Sequence, residues 1–165
     1  MMNHAERYLK LAALTKRADS IDCSYHAAFY LISYDKELWE AACRYVNIDG
    51  IHFAGLKRAI RGFDENIRQV VDIAHSLFSW NSKCHATPFD ISRLGYPYMK
   101  MVCNAIFIAS DEAKVVIQHQ ENELPKLILD ASNYQRTGRI YRQLEQLSYN
   151  YSADMVQDEV VDMER

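Results

Sequence analysis

The chain has 165 residues, 49% of them hydrophobic and 25% charged, with a net charge of −3. That is enough chain for one buried core, and it is too apolar and too weakly charged to stay disordered. With only 5 glycines and 3 prolines it lacks the turn punctuation of a many-stranded sandwich or barrel, so composition predicts an all-α, single compact domain of about six or seven helices.

In chain order, Asn3 and Glu6 form a capping-box pattern that predicts a helix from Asn3 to about Arg17, with Tyr8, Leu9 and Ala12 as its apolar stripe. Residues 18–22 read as a break. Ser24 is then expected to cap a short helix through Ser33, apolar on nearly every side and therefore central. Asp35 is the expected N-cap of a helix whose apolar positions are Leu38, Trp39, Ala42, Cys43 and Val46. Asn47-Ile-Asp-Gly50 predicts a tight turn, followed by a helix from Phe53 to Ile60 closed by Gly62. Asp64 opens the best-patterned helix, with Ile67, Val70, Val71, Ala74, Leu77 and Phe78 in one narrow sector.

Residues 81–88 have loop composition, and Asp90 to Leu94 leaves room for one or two helical turns before Gly95. Pro97 is expected at the first position of the next helix, with Met99, Val102, Cys103 and Ile106 as its buried stripe. Through 111–130 the pattern favours continued helix. Val115-Val-Ile117 and Leu127-Ile-Leu129, set about a polar stretch and Pro125, also fit a two-stranded ribbon, but an isolated ribbon is weak. Ser132 is expected to cap a last helix carrying Ile140, Leu144 and Leu147. Residues 152–165 hold five acids against Arg165 alone, a charge of −4 that leaves the body at +1. The predicted organisation is a helical domain over 1–151 and an acidic tail over 152–165.

The opening residues lack a basic segment leading into an apolar one, and no run is long enough to span a bilayer. The four cysteines, at 23, 43, 84 and 103, are scattered, so reduced thiols in a cytoplasm are expected and no membrane partner. Cys43 and Cys103 fall in apolar stripes and read as core fillers. Cys23-x-x-His26 and Cys84-His85 supply the atoms of a zinc site but not its spacing, and only Asp72-Ile-Ala-His75 resembles half of one di-iron pair. No metal and no cofactor is expected.

The sharpest catalytic pair is Arg68 and His75 in Arg68-Gln-Val-Val-Asp-Ile-Ala-His75, because residues seven apart on a helix share a face two turns apart. Arg68 would hold a phosphodiester and His75 would transfer a proton. The arrangement resembles the Arg-x(4-6)-His motif of the HEPN helical ribonucleases, and Ser24-Tyr-His-Ala-Ala-Phe-Tyr30 resembles their aromatic-rich early helix. That resemblance implies a metal-independent ribonuclease assembled across a homodimer interface. Over residues 51–108, the segments Ile67-Arg-Gln-Val-Val-Asp-Ile-Ala-His75 and Ala86-Thr-Pro-Phe-Asp-Ile-Ser-Arg-Leu94 are similar to small helical proteins of bacterial mobile elements. This second resemblance implies a phage- or plasmid-type accessory context, in which an anti-CRISPR-like inhibitor acts stoichiometrically on a host enzyme or defence complex.

Arg136, Arg139 and Arg142 repeat every third residue beside Tyr134 and Tyr141, an interleaving of cation and aromatic that suits a nucleic-acid strand or a protein partner. The acidic tail, with Asp154, Asp158, Glu159 and Asp162, suits a basic protein surface. The leading expectation is a non-enzymatic protein-binding accessory or inhibitor protein, whose partner is another protein or a nucleoprotein complex. The alternatives are the HEPN-like ribonuclease and a nucleic-acid-binding helical module. Binding ranks above catalysis because Arg68 and His75 lie at the border of the apolar stripe.

Overall fold

A computed structural model describes residues 2–16 and 20–163, with side chains described through residue 149. Among the described residues there are eight helices and two antiparallel strand pairs, so the mostly helical expectation holds with one more helix than foreseen. The chain falls into two compact units, residues 1–130 and 131–165. The break between them comes where the last helix begins.

In the first unit, α1 (His4–Leu14) starts where Asn3 Oδ1 accepts from the Glu6 N–H at 3.0 Å and Glu6 Oε2 accepts from the Asn3 N–H at 2.8 Å. Its buried side chains are Ala5, Tyr8, Leu11 and Ala12, and Leu9 is exposed. The next helix, α2 (Cys23–Ile32), is capped by Asp22 instead of Ser24, its carboxylate accepting from Ser24 N–H at 2.9 Å and Tyr25 N–H at 3.1 Å. A carboxylate at this position also complements the helix dipole, which a hydroxyl does not. Six consecutive residues of α2, Ala27 to Ile32, are buried.

The short α3 (Lys36–Ala42) takes its N-cap from Asp35, whose Oδ1 accepts from Leu38 N–H at 2.8 Å. Val46 leaves the helical pattern to enter a hairpin, β1 (Val46–Asn47) with β2 (Gly50–Ile51), and Gly50 has φ +132 where β2 leaves the turn. After it come α4 (Phe53–Ala59) and α5 (Glu65–Phe78), the latter opened by Asp64 accepting from Asn66 N–H at 2.8 Å. One face of α5 is buried through Ile67, Val70, Val71, Ile73 and Ala74. Next, α6 (Pro88–Arg93) stops before Gly95 at φ +67, and Pro97 is the N-cap of α7 (Tyr98–Ala109). Helix α2 packs against both α5 and α7, which also meet each other. This is the centre that its all-round apolarity requires.

Two expectations about this region are corrected. The buried residues of α7 are Met101, Val102, Ala105 and Ile108, while Met99, Cys103 and Ile106 are exposed, so Cys103 is no core filler. Cys43 is half-buried. Residues 114–130 are also not helix: β3 (Lys114–Gln118) pairs with β4 (Lys126–Asp130), Val116 facing Ile128 in the register. Asp111 at φ +60 ends the helical run, and Asn122 at φ +63 helps turn the ribbon, both residue types that tolerate the left-handed region. The ribbon survives because it is not isolated. Val115, Ile117, Leu127 and Leu129 pack on the core, and Asn3 Nδ2 donates to Pro125 O at 2.7 Å.

The second unit is α8 (Ser132–Met163), which includes Ser132 in its first turn where a cap was expected.

Candidate functional site

Helix α5 meets α4 along the border of its buried face. Phe53 of α4 meets His75 and Phe78 of α5, and Lys57, one turn further along α4, reaches Asp72, one turn back along α5. Asp72 Oδ1 lies 2.5 Å from Lys57 Nζ, and its Oδ2 accepts from the His85 N–H at 2.7 Å. One carboxylate thus ties α4, α5 and the loop before α6. Burial works to raise the Asp72 pKa, but the Lys57 ammonium, the His85 N–H and the Cys84 thiol outweigh it and hold the group below the usual carboxylate range.

On one side of this clamp is a cavity of about 500 Å³ lined by Lys57, Ile60, Arg61, Glu65, Arg68, Gln69, Asp72, His85, Ala86 and Asp90. Its three cations face three acids, so its charge is balanced. A second cavity, of about 560 Å³, is lined by Arg44, Tyr45, His52, Phe53, Gly55, Arg58, His75, Phe78 and Ser79 among others. Among the described residues no acidic side chain lines it. Arg68 therefore opens on the first cavity and His75 on the second. Asp72, which lies between them in the sequence of α5, is paired with Lys57. The basic group Lys57, Arg58 and Arg61 is divided in the same way, with Arg58 alone at the second cavity.

His75 stacks on Phe53 with ring centroids 4.5 Å apart and planes at 21°. Desolvation first, and the Lys57 charge second, lower its pKa against the opposing pull of Asp72, which favours the neutral ring at pH 7. Its Nδ1 is buried and, among the described residues, has no hydrogen-bond partner. His52 Nε2 accepts from Asn47 Nδ2 at 3.3 Å, and Arg58 Nε donates to Ala54 O at 3.3 Å. Arg44, Tyr45 and His52 were not singled out by sequence reasoning. They come from α3's end, the hairpin and the start of α4, and share no periodicity that would group them.

In the second unit, Tyr134, Ile140, Tyr141, Leu144, Leu147 and Tyr149 are all at least half exposed. Arg136 Nη2 donates to Asn133 Oδ1 at 2.5 Å and Arg142 Nε donates to Gly138 O at 3.1 Å, both within the helix, and Arg139 is exposed. The side chains of Asp154, Asp158, Glu159 and Asp162 lie outside the described residues.

Cys23 and His26 line a separate hollow, and His26 Nδ1 shares a hydrogen bond with the buried Tyr8 Oη, while Cys84 and His85 stand beside Asp72. Among the described residues no three His, Cys, Asp or Glu side chains converge as a metal site, and no helix is long and apolar enough to cross a membrane. Compared with known proteins, the sequence matches no family model and no curated protein, and the fold matches no solved structure.

Proposed function

We propose that the chain is a non-enzymatic protein-binding module of the accessory or inhibitor class, and that α8 is its recognition helix. The observation that carries this reading is the stripe Ile140, Leu144 and Leu147, exposed by 50%, 55% and 64%. Their spacing is that of an amphipathic helix laid into a groove. Fully burying one such side chain is worth about 1.5–3 kcal/mol, so covering the exposed half of all three contributes roughly 3–4 kcal/mol. Tyr134 and Tyr141 add aromatic area at small entropic cost. Arg136, Arg139 and Arg142 give the first half of the helix a positive charge, which favours an apolar groove with acidic borders. The separation of Arg68 from His75 favours binding over the ribonuclease alternative.

The test is affinity purification of tagged chain from its source cell, with the captured protein identified and then titrated as a purified component. The double substitution Leu144→Asp and Leu147→Asp should abolish its binding while residues 1–130 keep their thermal transition. Undiminished binding by the double variant would remove α8 from the function. A partner held through α8 should also bind more weakly at high salt if the arginines face its acids.

A further inference from the structure

We propose that the second cavity, at Arg44, Arg58, His52 and His75, binds a nucleotide unit, its phosphate between the two arginines and its base against the aromatic wall. Among the described residues the charged groups lining this cavity are Arg44 and Arg58, both cations. The neighbouring cavity offers its three cations an equal number of acids, so an anion gains nothing there. A guanidinium presents a planar fork of N–H donors that matches phosphate oxygens. The bond from Arg58 Nε to Ala54 O at 3.3 Å orients that fork and uses one of its five donors. Arg44 also borders a hollow with Glu37 and Glu40, but Glu40 lies 3.7 Å from Lys36 Nζ and is shared with it.

The walls are those a planar ring would need. Tyr45, Phe78 and the neutral His75, all half-buried, line the cavity, and the buried Phe53 backs the His75 ring by stacking on it. Tyr45 packs so closely on α4 that a Cβ at Gly55 would stand 2.6 Å from its ring carbons, so glycine is what admits the ring. Aromatic faces stack on bases without regard to sequence, and arginine supplies the charge; single-strand binding proteins combine the same two elements. At about 560 Å³ the space falls within the range of small-molecule sites. The same chemistry could come from a free mononucleotide or from one nucleotide of a single strand, and the experiment separates them.

The full chain is titrated with adenosine monophosphate, adenosine, inorganic phosphate and a short single-stranded oligoadenylate, with amide resonances followed by NMR. Shifts should appear at residues 44–58 and 75–79, and the monophosphate should bind about tenfold more tightly than adenosine or phosphate alone. Arg44→Gln and Arg58→Gln, both exposed positions, should each weaken it about tenfold with an unchanged fold. Tighter binding of the oligoadenylate assigns the site to a strand, and equal or weaker binding assigns it to the free nucleotide. No saturable shift at these residues with either phosphorylated probe, or affinity unaffected by both substitutions, would overturn the proposal.

Discussion

Replacing Asp72 with Asn tests whether one carboxylate holds the two cavities apart. The variant keeps the shape and an acceptor for the His85 N–H but removes the charge facing Lys57. The Lys57 and Asp72 side chains are 32% and 16% exposed, between a solvated pair and a buried one. Surface pairs are worth about 0–1 kcal/mol, and breaking a buried one costs about 3–5 kcal/mol, so a loss of about 2 kcal/mol is expected. For a chain of this size that lowers Tm by about 5 °C. Melts followed by circular dichroism at pH 7 measure it, and hydrogen exchange should show faster opening of residues 79–87, whose hold on α5 runs through His85. The acid dependence has a defined sign. The Asp72 pKa is depressed in the fold, so its contribution is complete above the unfolded value near 3.9 and fades as pH falls below it. Wild type and variant should therefore converge in strong acid. A variant that melts within about 1 °C of wild type at pH 7, with unaltered exchange in the loop, would refute the clamp.

Two further predictions concern the first unit. Burial above all, and the Arg7 charge in addition, lower the His4 pKa to about 4 despite the bond its Nε2–H donates to Tyr30 O at 3.0 Å. The unfolded chain then binds the extra proton between about pH 6.5 and 4, and stability should fall by up to about 3 kcal/mol as pH drops through that window. Urea titrations across the window should show it, and His4→Gln, which can still donate to Tyr30, should flatten the slope; an equal slope in the variant would exclude His4 as its source. In the ribbon, Val115→Asp places a charge against the core and should cost about 2–3 kcal/mol, whereas Val116→Asp on the outer face should stay within about 0.5 kcal/mol. Equal losses in chemical denaturation would mean the register is wrong by one residue.

What the sequence makes legible is local. Asn3, Asp35 and Asp64 announce their helices because a cap is satisfied within three residues, and α5 shows its buried face because it is polar on the other side. Helix α7 hides its phase, since Met99, Ile106 and Phe107 are as apolar as the buried Met101, Val102 and Ile108. Its packing on α2 and α5 chooses between the faces. The ribbon is decided by a partner strand and by a core surface beneath it, neither of which a local pattern contains. Arg68 and His75 were correctly placed on one helix, but the crossing of α4, which engages Asp72 between them, is a tertiary fact. The second cavity escaped for the same reason, being assembled from Arg44, His52, Arg58 and His75 on different elements.

The burial of α2 bears on how the chain is made. Its apolar run from Ala27 to Ile32 is synthesised early, while its partners α5 and α7 end only at Phe78 and Ala109. At roughly 5–20 residues per second, the ribosome leaves that segment uncovered for on the order of 4–16 seconds before α7 is complete. A nascent chain in that interval presents a sticky segment whose cover is incomplete, and holding chaperones should associate with it until α7 emerges.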